Sequence, residues 1–252
     1  MTRNRNRRRR RPLHRRFGKF LAYAVIAVLV VLAVTMNFPI HNIYVEGNRQ
    51  YEDEKIISVS GIEIGDNMFF IRKGDVSDRL CRELPYISNV SIRHDLPFSI
   101  ILKVNESAPA ALMKTEDGYC ILNDEGKVMD ISESAPETVT VAEVKGLTGE
   151  KASLGKVITV PDEKSKSFDE LLKLLSALAG RNLLEEIVAV DLSAGDYMEL
   201  TYLDRFTVRI PYESDYDYKA KYLIGTVENL EDNEKGLIDM TYPNGEVHFL
   251  PS

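Results

Sequence analysis

The chain has 252 residues, 44% of them hydrophobic and 28% charged, with a formal net charge of −7. Ten of its 32 Lys and Arg fall in the first 19 residues with no acid among them, so the remainder holds 22 cations against 39 acids and carries −17. An acidic remainder of this kind excludes an extended phosphate-binding surface, and two cysteines, Cys81 and Cys120, are too few for a disulfide scaffold.

The basic tail, residues 1–19, runs directly into residues 20–38, which carry no formal charge. As a helix this run is about 28 Å long, close to the hydrocarbon thickness of a bilayer. A lone helix satisfies its own backbone in lipid, and the cationic flank keeps the N-terminus cytoplasmic. A cleavable signal peptide shares the basic start. The length of the run, and the poor small-x-small match at Ala33-Val34-Thr35, favour a retained single transmembrane helix. Residues 39–252 are then extracytoplasmic. Contact of the tail with anionic headgroups or nucleic acid stays open beside its plain use as a topology signal.

Beyond the run, residues 40–46 are predicted as a strand with Ile43 and Val45 on one face, closed by Gly47-Asn48. Glu52, Asp53 and Glu54 load the start of a helix, with Ile56 and Val59 inward and Gly61 as terminator. A turn at Gly65-Asp66-Asn67 and an apolar segment at residues 68–71 lead to a second helix. Asp75 is its candidate cap, Val76, Leu80 and Leu84 its stripe and Pro85 its stop. Two alternating strands follow: residues 88–94 with Val90 and Ile92 on one side, and residues 99–104 with Ile100, Leu102 and Val104 inward, joined at Leu96-Pro97. A βααββ order with both helices on one face makes a small α+β layer.

Residues 110–113, 119–122 and 127–131 are predicted as strands, the latter two joined at Asn123-Asp124-Glu125-Gly126. That loop offers oxygens but lacks calcium-loop spacing, so it is taken as a turn. Another strand is expected at 138–144. The clearest helix starts at Ser167, where Ser167-x-x-Glu170 matches a capping box, with Phe168, Leu171, Leu172, Leu175, Leu178 and Ala179 facing the core and Gly180 as C-cap. Strands at 188–192, 198–203 and 206–210 (the last two joined at Asp204-Arg205), a helix at 217–230, and strands at 238–242 and 246–249 around Pro243-Asn244-Gly245 complete the chain.

Catalytic chemistry is not legible. His94, Asp95 and Ser99 lie on a predicted hairpin where adjacent side chains diverge. The four histidines show no metal spacing, and no phosphate loop or dinucleotide fingerprint occurs. No cofactor is expected. The cysteines are read as small apolar residues, with a single bridge between them left open.

The order βααββ directly after one membrane anchor resembles a POTRA domain of the FtsQ/DivIB division-protein type. The resemblance rests on Ile43-Tyr44-Val45-Glu46-Gly47-Asn48, on Gly61-Ile62 with Gly65-Asp66-Asn67 and Phe69, and on Leu84-Pro85-Tyr86-Ile87. It also rests on Val90-Ser91-Ile92-Arg93 before Pro97, and on Val104-Asn105-Glu106 before Pro109-Ala110. Tyr119-x-Ile121-Leu122-Asn123-x-x-Gly126-x-Val128 resembles the family's first β-domain hairpin, with Asn123 where Asp is commoner. The run from Ile238 to Gly245 resembles its closing hairpin, with Met240-Thr241 where Leu-Arg is frequent.

The resemblance implies a POTRA domain over 39–107 and a mixed β-sheet domain with helices over 108–252. It implies a non-enzymatic divisome scaffold linking early components to septal peptidoglycan synthesis. Its partners would be FtsB/DivIC-like and FtsL-like bitopic coiled-coil proteins, with no nucleic acid and no small-molecule substrate. Strand addition at the last strand is the expected contact, since an edge strand presents unpaired backbone groups. Tyr242, Asn244 and Gly245 enter by family analogy; Val247 and Phe249 extend the same strand. A further edge is expected around residues 43–46 or 99–104. The alternatives are another POTRA-bearing transport or secretion factor, which repeated POTRA units or a barrel would mark, and an extracytoplasmic cell-wall enzyme.

Overall fold

The structure, a computed structural model, describes residues 20–30, 38–136, 141–242 and 245–252. Residues 20–30 form a helix whose large apolar side chains are all exposed. The expected tail and residues 31–37 of the expected span lie outside the described residues. No helix among the described residues is long and apolar enough to cross a membrane.

Two sheets follow. The first has three strands in the order β1-β3-β2: β1 (Asn42–Glu46), β2 (Ile87–Asp95) and β3 (Ser99–Glu106). β1 pairs parallel with β3, and β2 antiparallel. A parallel pair needs a crossover, supplied by helices α1 (Asp53–Ser60) and α2 (Lys73–Glu83). Asp53 and Glu54 sit in the first turn of α1, where its dipole favours acids. Gly61 ends it at φ 65°, a left-handed position that suits glycine. The alternation read from the sequence holds: Ile100, Leu102 and Val104 are buried with Val90, Ile92, Ile56 and Leu80 in one core. The proposed cap at Asp75 does not. α2 begins two residues earlier, and Asp75 lies in its first turn, 3.8 Å from Arg72. Residues 99–104 are not an edge either, because β3 is the central strand and only β1 and β2 flank it.

The second sheet has nine strands, in the order β12-β11-β10-β9-β8-β7-β4-β5-β6. These are β4 (Ala111–Thr115), β5 (Gly118–Leu122), β6 (Val128–Ser132), β7 (Ala142–Gly149), β8 (Ile187–Asp191), β9 (Tyr197–Tyr202), β10 (Phe206–Pro211), β11 (Gly236–Asp239) and β12 (His248–Pro251). β4–β7, β7–β8 and β10–β11 are parallel and the rest antiparallel. Helices α3 (Ser165–Ala179) and α4 (Tyr216–Val227) bury Phe168, Leu171, Leu174, Leu175, Leu178, Ala220 and Leu223 against the sheet.

Two details differ from expectation. The capping box at Ser167 is absent, since α3 already starts at Ser165. Glu170 is 3% exposed and serves as a tie instead. Its carboxylate accepts from the Glu213 amide at 2.8 Å, from the Tyr216 hydroxyl, and from Lys173 Nζ at 2.7 Å. Burial pushes this carboxyl up, but those hydrogen bonds outweigh it and hold the group below its usual range. Gly180 is the C-cap of α3 as expected, in a right-handed conformation, and the left-handed residue beyond it is Asn182, at φ 58°. The β9–β10 turn is centred on Leu203 and Asp204, both at positive φ, not on Asp204-Arg205.

The two sheets meet through Tyr86 and Lys127. Tyr86 packs on Leu112, Ile121 and Met129, while its carbonyl accepts from the Ser107 amide at 2.9 Å. Lys127 is buried and donates to the Ile87 carbonyl at 2.7 Å; burial lowers its pKa. Asn123 holds the loop beneath, its Oδ1 accepting from the amides of Glu125 and Lys127. That oxygen is thus satisfied within the turn, not offered outward.

Lys127→Met keeps the stem and deletes the donor. It is expected to destabilise the chain by about 1–3 kcal/mol, the cost of an unmet buried acceptor; an unchanged urea midpoint would show that the Ile87 carbonyl finds water instead. His94 packs edge-on to Phe69, at 5.3 Å. Burial and nearby Lys73 push its pKa below the ordinary 6.5. The unfolded chain therefore takes up this proton at higher pH than the folded one. The stabilisation is complete above the unfolded value and is lost as pH falls through that value towards the folded one. Thermal melts of the His94→Phe variant should fall less steeply over this window than those of the parent chain.

Candidate partner-docking edge

β12 is an outer strand of the nine-stranded sheet, and its register on β11 sets which of its groups are free. Leu250 lies opposite Leu237, Phe249 opposite Ile238 and His248 opposite Asp239. The Ser252 amide donates inward to the Lys235 carbonyl at 3.0 Å. Antiparallel bonding alternates along a strand, so His248 and Leu250 also turn their backbone groups inward. Phe249 and Pro251 turn theirs outward. Pro251 has no amide hydrogen, so its nitrogen takes an outward position at no cost to the ladder. The free edge thus offers the Phe249 N–H and C=O and the Pro251 C=O.

Side chains alternate too. Phe249 faces the core, partly buried and edge-on to Phe206 at 6.1 Å. Leu250 faces the other way, 51% exposed. It lines a shallow depression of about 420 Å³ together with Thr201, Asp204, Thr207 and Leu237. Gly236 makes the pairing possible: a Cβ there would lie 2.2 Å from the Leu250 carbonyl oxygen.

The expected site residues are distributed unevenly on this edge. Tyr242 is 42% exposed and its ring lies 4.1 Å from that of His248, forming a small aromatic shelf beside the strand. Val247 is partly buried against the core. Gly245 adopts φ 76°, donates its amide to the Tyr242 carbonyl at 3.1 Å and has open space around it, so it serves the turn. Asn244, with Pro243, lies outside the described residues. The expected strands at 238–242 and 246–249 are displaced: β11 ends at Asp239 and β12 starts at His248. The Asp239 carboxylate caps the end of β11 by accepting from the Thr241 amide and hydroxyl at 2.9 and 2.7 Å. Met240 is fully buried, and its carbonyl accepts from buried Lys219 of α4 at 2.9 Å. The expected strand stops at Phe249 and so omits Leu250 and Pro251, which the two-residue alternation continued past Phe249 includes.

The other candidate chemistry is not assembled. Asp95 pairs with Ser99 across the β2–β3 hairpin while His94 stands opposite Ile100. Cys81 and Cys120 are free, and burial pushes the Cys120 thiol up to about 11. Among the described residues no group of three or more His, Cys, Asp or Glu is placed to hold a metal ion.

A family model described as a POTRA domain, FtsQ-type, matches residues 38–107, and one described as the C-terminal part of cell division protein FtsQ/DivIB matches residues 111–241. Cell division protein DivIB of Clostridium acetobutylicum is 25% identical over 228 residues, covering 89% of this chain and 88% of its own. Cell division protein FtsQ of Syntrophotalea carbinolica is 27% identical over 225 residues, covering 88% of this chain and 76% of its own. Cell division protein FtsQ of Corynebacterium glutamicum is 26% identical over 172 residues, covering 60% of this chain and 75% of its own. A solved extracytoplasmic domain of DivIB from Geobacillus stearothermophilus aligns over 50% of this chain and 99% of its own at 12% identity, with a TM-score of 0.29. With one family model spanning more than half of its length and a second matching the segment before it, the chain belongs to the FtsQ/DivIB cell-division protein family.

Proposed function

We propose that the chain is a bitopic membrane scaffold of the division machinery that acts by binding partners, not by catalysis. Residues 1–19 are its cytoplasmic tail, 20–38 its transmembrane helix, 39–107 a POTRA domain and 108–252 a β domain that carries the docking edge. A partner strand adds antiparallel or parallel to β12, taking its backbone bonds from Phe249 and Pro251. Tyr242 is the exposed anchor of the contact, Leu250 a second, and Val247 and Phe249 hold the strand in place from the core side. Asn244 and Gly245 belong to the contact by family analogy, and Gly245 also serves the turn that leads into the strand. The partners are FtsB/DivIC-like and FtsL-like bitopic coiled-coil proteins, and the complex links them to septal peptidoglycan synthesis at the division site.

The observation that carries this reading is an outer strand whose far side has no partner strand among the described residues, with its outward backbone groups beside two exposed apolar side chains. The names of the relatives support the division role.

Binding of the full chain in detergent to a purified FtsB/DivIC-like partner tests the edge. Phe249→Pro deletes the outward amide without touching the bonds to β11, whereas Phe249→Ala deletes only the ring. Binding should fall about tenfold more for Pro than for Ala, an energy of about 1.4 kcal/mol, near the net worth of one hydrogen bond. Tyr242→Ala should weaken binding as well. Equal losses for Pro and Ala, with no effect at Tyr242, would remove strand addition from the account. In cells, a fluorescent fusion spread evenly over the membrane, without septal enrichment, would count against the division role itself.

Gly236→Ala forces a Cβ onto the Leu250 carbonyl. Hydrogen exchange should then quicken at the Leu250 and Ser252 amides while the β9–β10 amides keep their protection. Unaltered exchange at β12 would mean that the pairing absorbs the clash.

A further inference from the structure

One end of the three-stranded unit is an apolar surface that strand addition does not use. The chain enters that unit at Phe38, and residues 38–41 run between two loops. On one side the Met68 amide donates to the Phe38 carbonyl at 3.2 Å and the Ile40 amide to the Asp66 carbonyl at 2.8 Å. On the other the His41 amide donates to the Phe98 carbonyl at 2.7 Å. Phe38 packs on Phe69 at 5.4 Å and on Phe98 at 6.3 Å, and His41 stacks on Phe98 at 4.7 Å. The two loops expose Ile64 by 73%, Phe70 and Leu96 by 62% each, Phe69 by 41% and Phe98 by 36%. Singly exposed apolar residues need no explanation, but five on two loops flanking one strip do.

Core packing does not account for them, because the interior beneath is closed by Ile40, Ile62 and Met68. The position of the chain argues for the occupant. The uncharged run of residues 20–38 ends inside the cluster, at Phe38, and its described part, residues 20–30, shows only exposed apolar side chains. With that run across a bilayer, Pro39 alone separates its end from buried Ile40, and the loops lie at headgroup level. Charge does not select an anionic surface. Glu63, Asp66 and Asp95 border the loops on the acidic side and Arg72 on the basic side, while Lys73 Nζ is held by the Ile92 carbonyl at 2.9 Å.

We infer that this aromatic end rests in the outer face of the membrane, with Ile64, Phe70 and Leu96 dipping into the headgroup region as a second, non-spanning contact. The inference depends on the anchor reading of residues 20–38 and adds to it. The unit is then seated on the lipid, not merely tethered near it. Aromatic and long apolar side chains suit this boundary. Because the rim charges are mixed, a zwitterionic lipid suffices.

The chain contains no tryptophan, so a single introduced one reports unambiguously. The full chain is reconstituted in phosphatidylcholine vesicles containing a brominated lipid, with Phe70→Trp at the aromatic end, Val28→Trp in the apolar run and Tyr218→Trp on the exposed face of α4. Quenching is expected for the first two and not the third. In the Phe70→Trp background, adding Ile64→Asp and Leu96→Asp should reduce quenching several-fold at an unchanged melting curve. Adding anionic lipid should change neither result. Quenching at Val28→Trp without quenching at Phe70→Trp would overturn the seating and leave the anchor standing. So would quenching at Phe70→Trp that survives both Asp substitutions, because the tether alone would then explain it. No quenching at Val28→Trp would overturn the anchor reading, and the seating with it.

Discussion

A parallel strand pair cannot be closed by a tight turn, so its connection must cross a face of the sheet. This constraint recurs at both ends of the chain and decides which surfaces are left open. In the three-stranded sheet, β1 pairs parallel with β3, so α1 and α2 must lie between them in sequence. β3 becomes the central strand, and the chain enters the unit alongside β1 with two loops beside it. In the nine-stranded sheet, β10 pairs parallel with β11, so α4 crosses the face and buries Ala220 and Leu223. The remaining chain can then return only on the outer side of β11, which makes β12 an edge.

The join between the sheets depends on a different balance. A buried ammonium is costly unless its protons are met. Lys127 is tolerated because the Ile87 carbonyl, inside the partner unit, takes one of them. Tyr86 adds an apolar contact a few residues away. At Gly155 a Cβ would lie 2.4 Å from the Arg82 carbonyl oxygen, so the second unit approaches the end of α2 at backbone distance. The two sheets are therefore held by close packing and specific hydrogen bonds, not by a linker alone.

Much of the fold was legible because local pattern and burial agree. The alternation at Ile100, Leu102 and Val104, the stripe at Val76, Leu80 and Leu84, and the stop at Gly61 all follow from short-range rules. The misreadings share a cause. Ser167-x-x-Glu170 has the form of a local cap, but the partners of Glu170 include Tyr216, 46 residues away. The reading of residues 127–131 as a strand gives no sign of the partner of Lys127, since Ile87 lies 40 residues away. Phe69 and Phe70 do lead into α2 as their sequence suggests, but local pattern does not show that they stand exposed beside Phe38. At the candidate docking edge the expected last strand, 246–249, begins two residues before β12 does. Its register is fixed by the close approach at Gly236, a partner the strand itself does not contain.

The shortness of the β12 edge limits what it can do alone. Three outward backbone groups are worth a few kcal/mol net, at about 1 kcal/mol each. Free in solution, such a contact would sit near the millimolar range once the cost of association is met. An edge this small becomes effective when its partner is confined to the same membrane, since tethering raises the local concentration without any new contact. A unit seated on the lipid through Ile64, Phe70 and Leu96, and joined to the second sheet through Lys127, would also restrict the orientations that β12 samples. The entropy lost on docking would then be partly lost beforehand. A short strand edge thus suits a partner anchored in the same bilayer better than one arriving from solution.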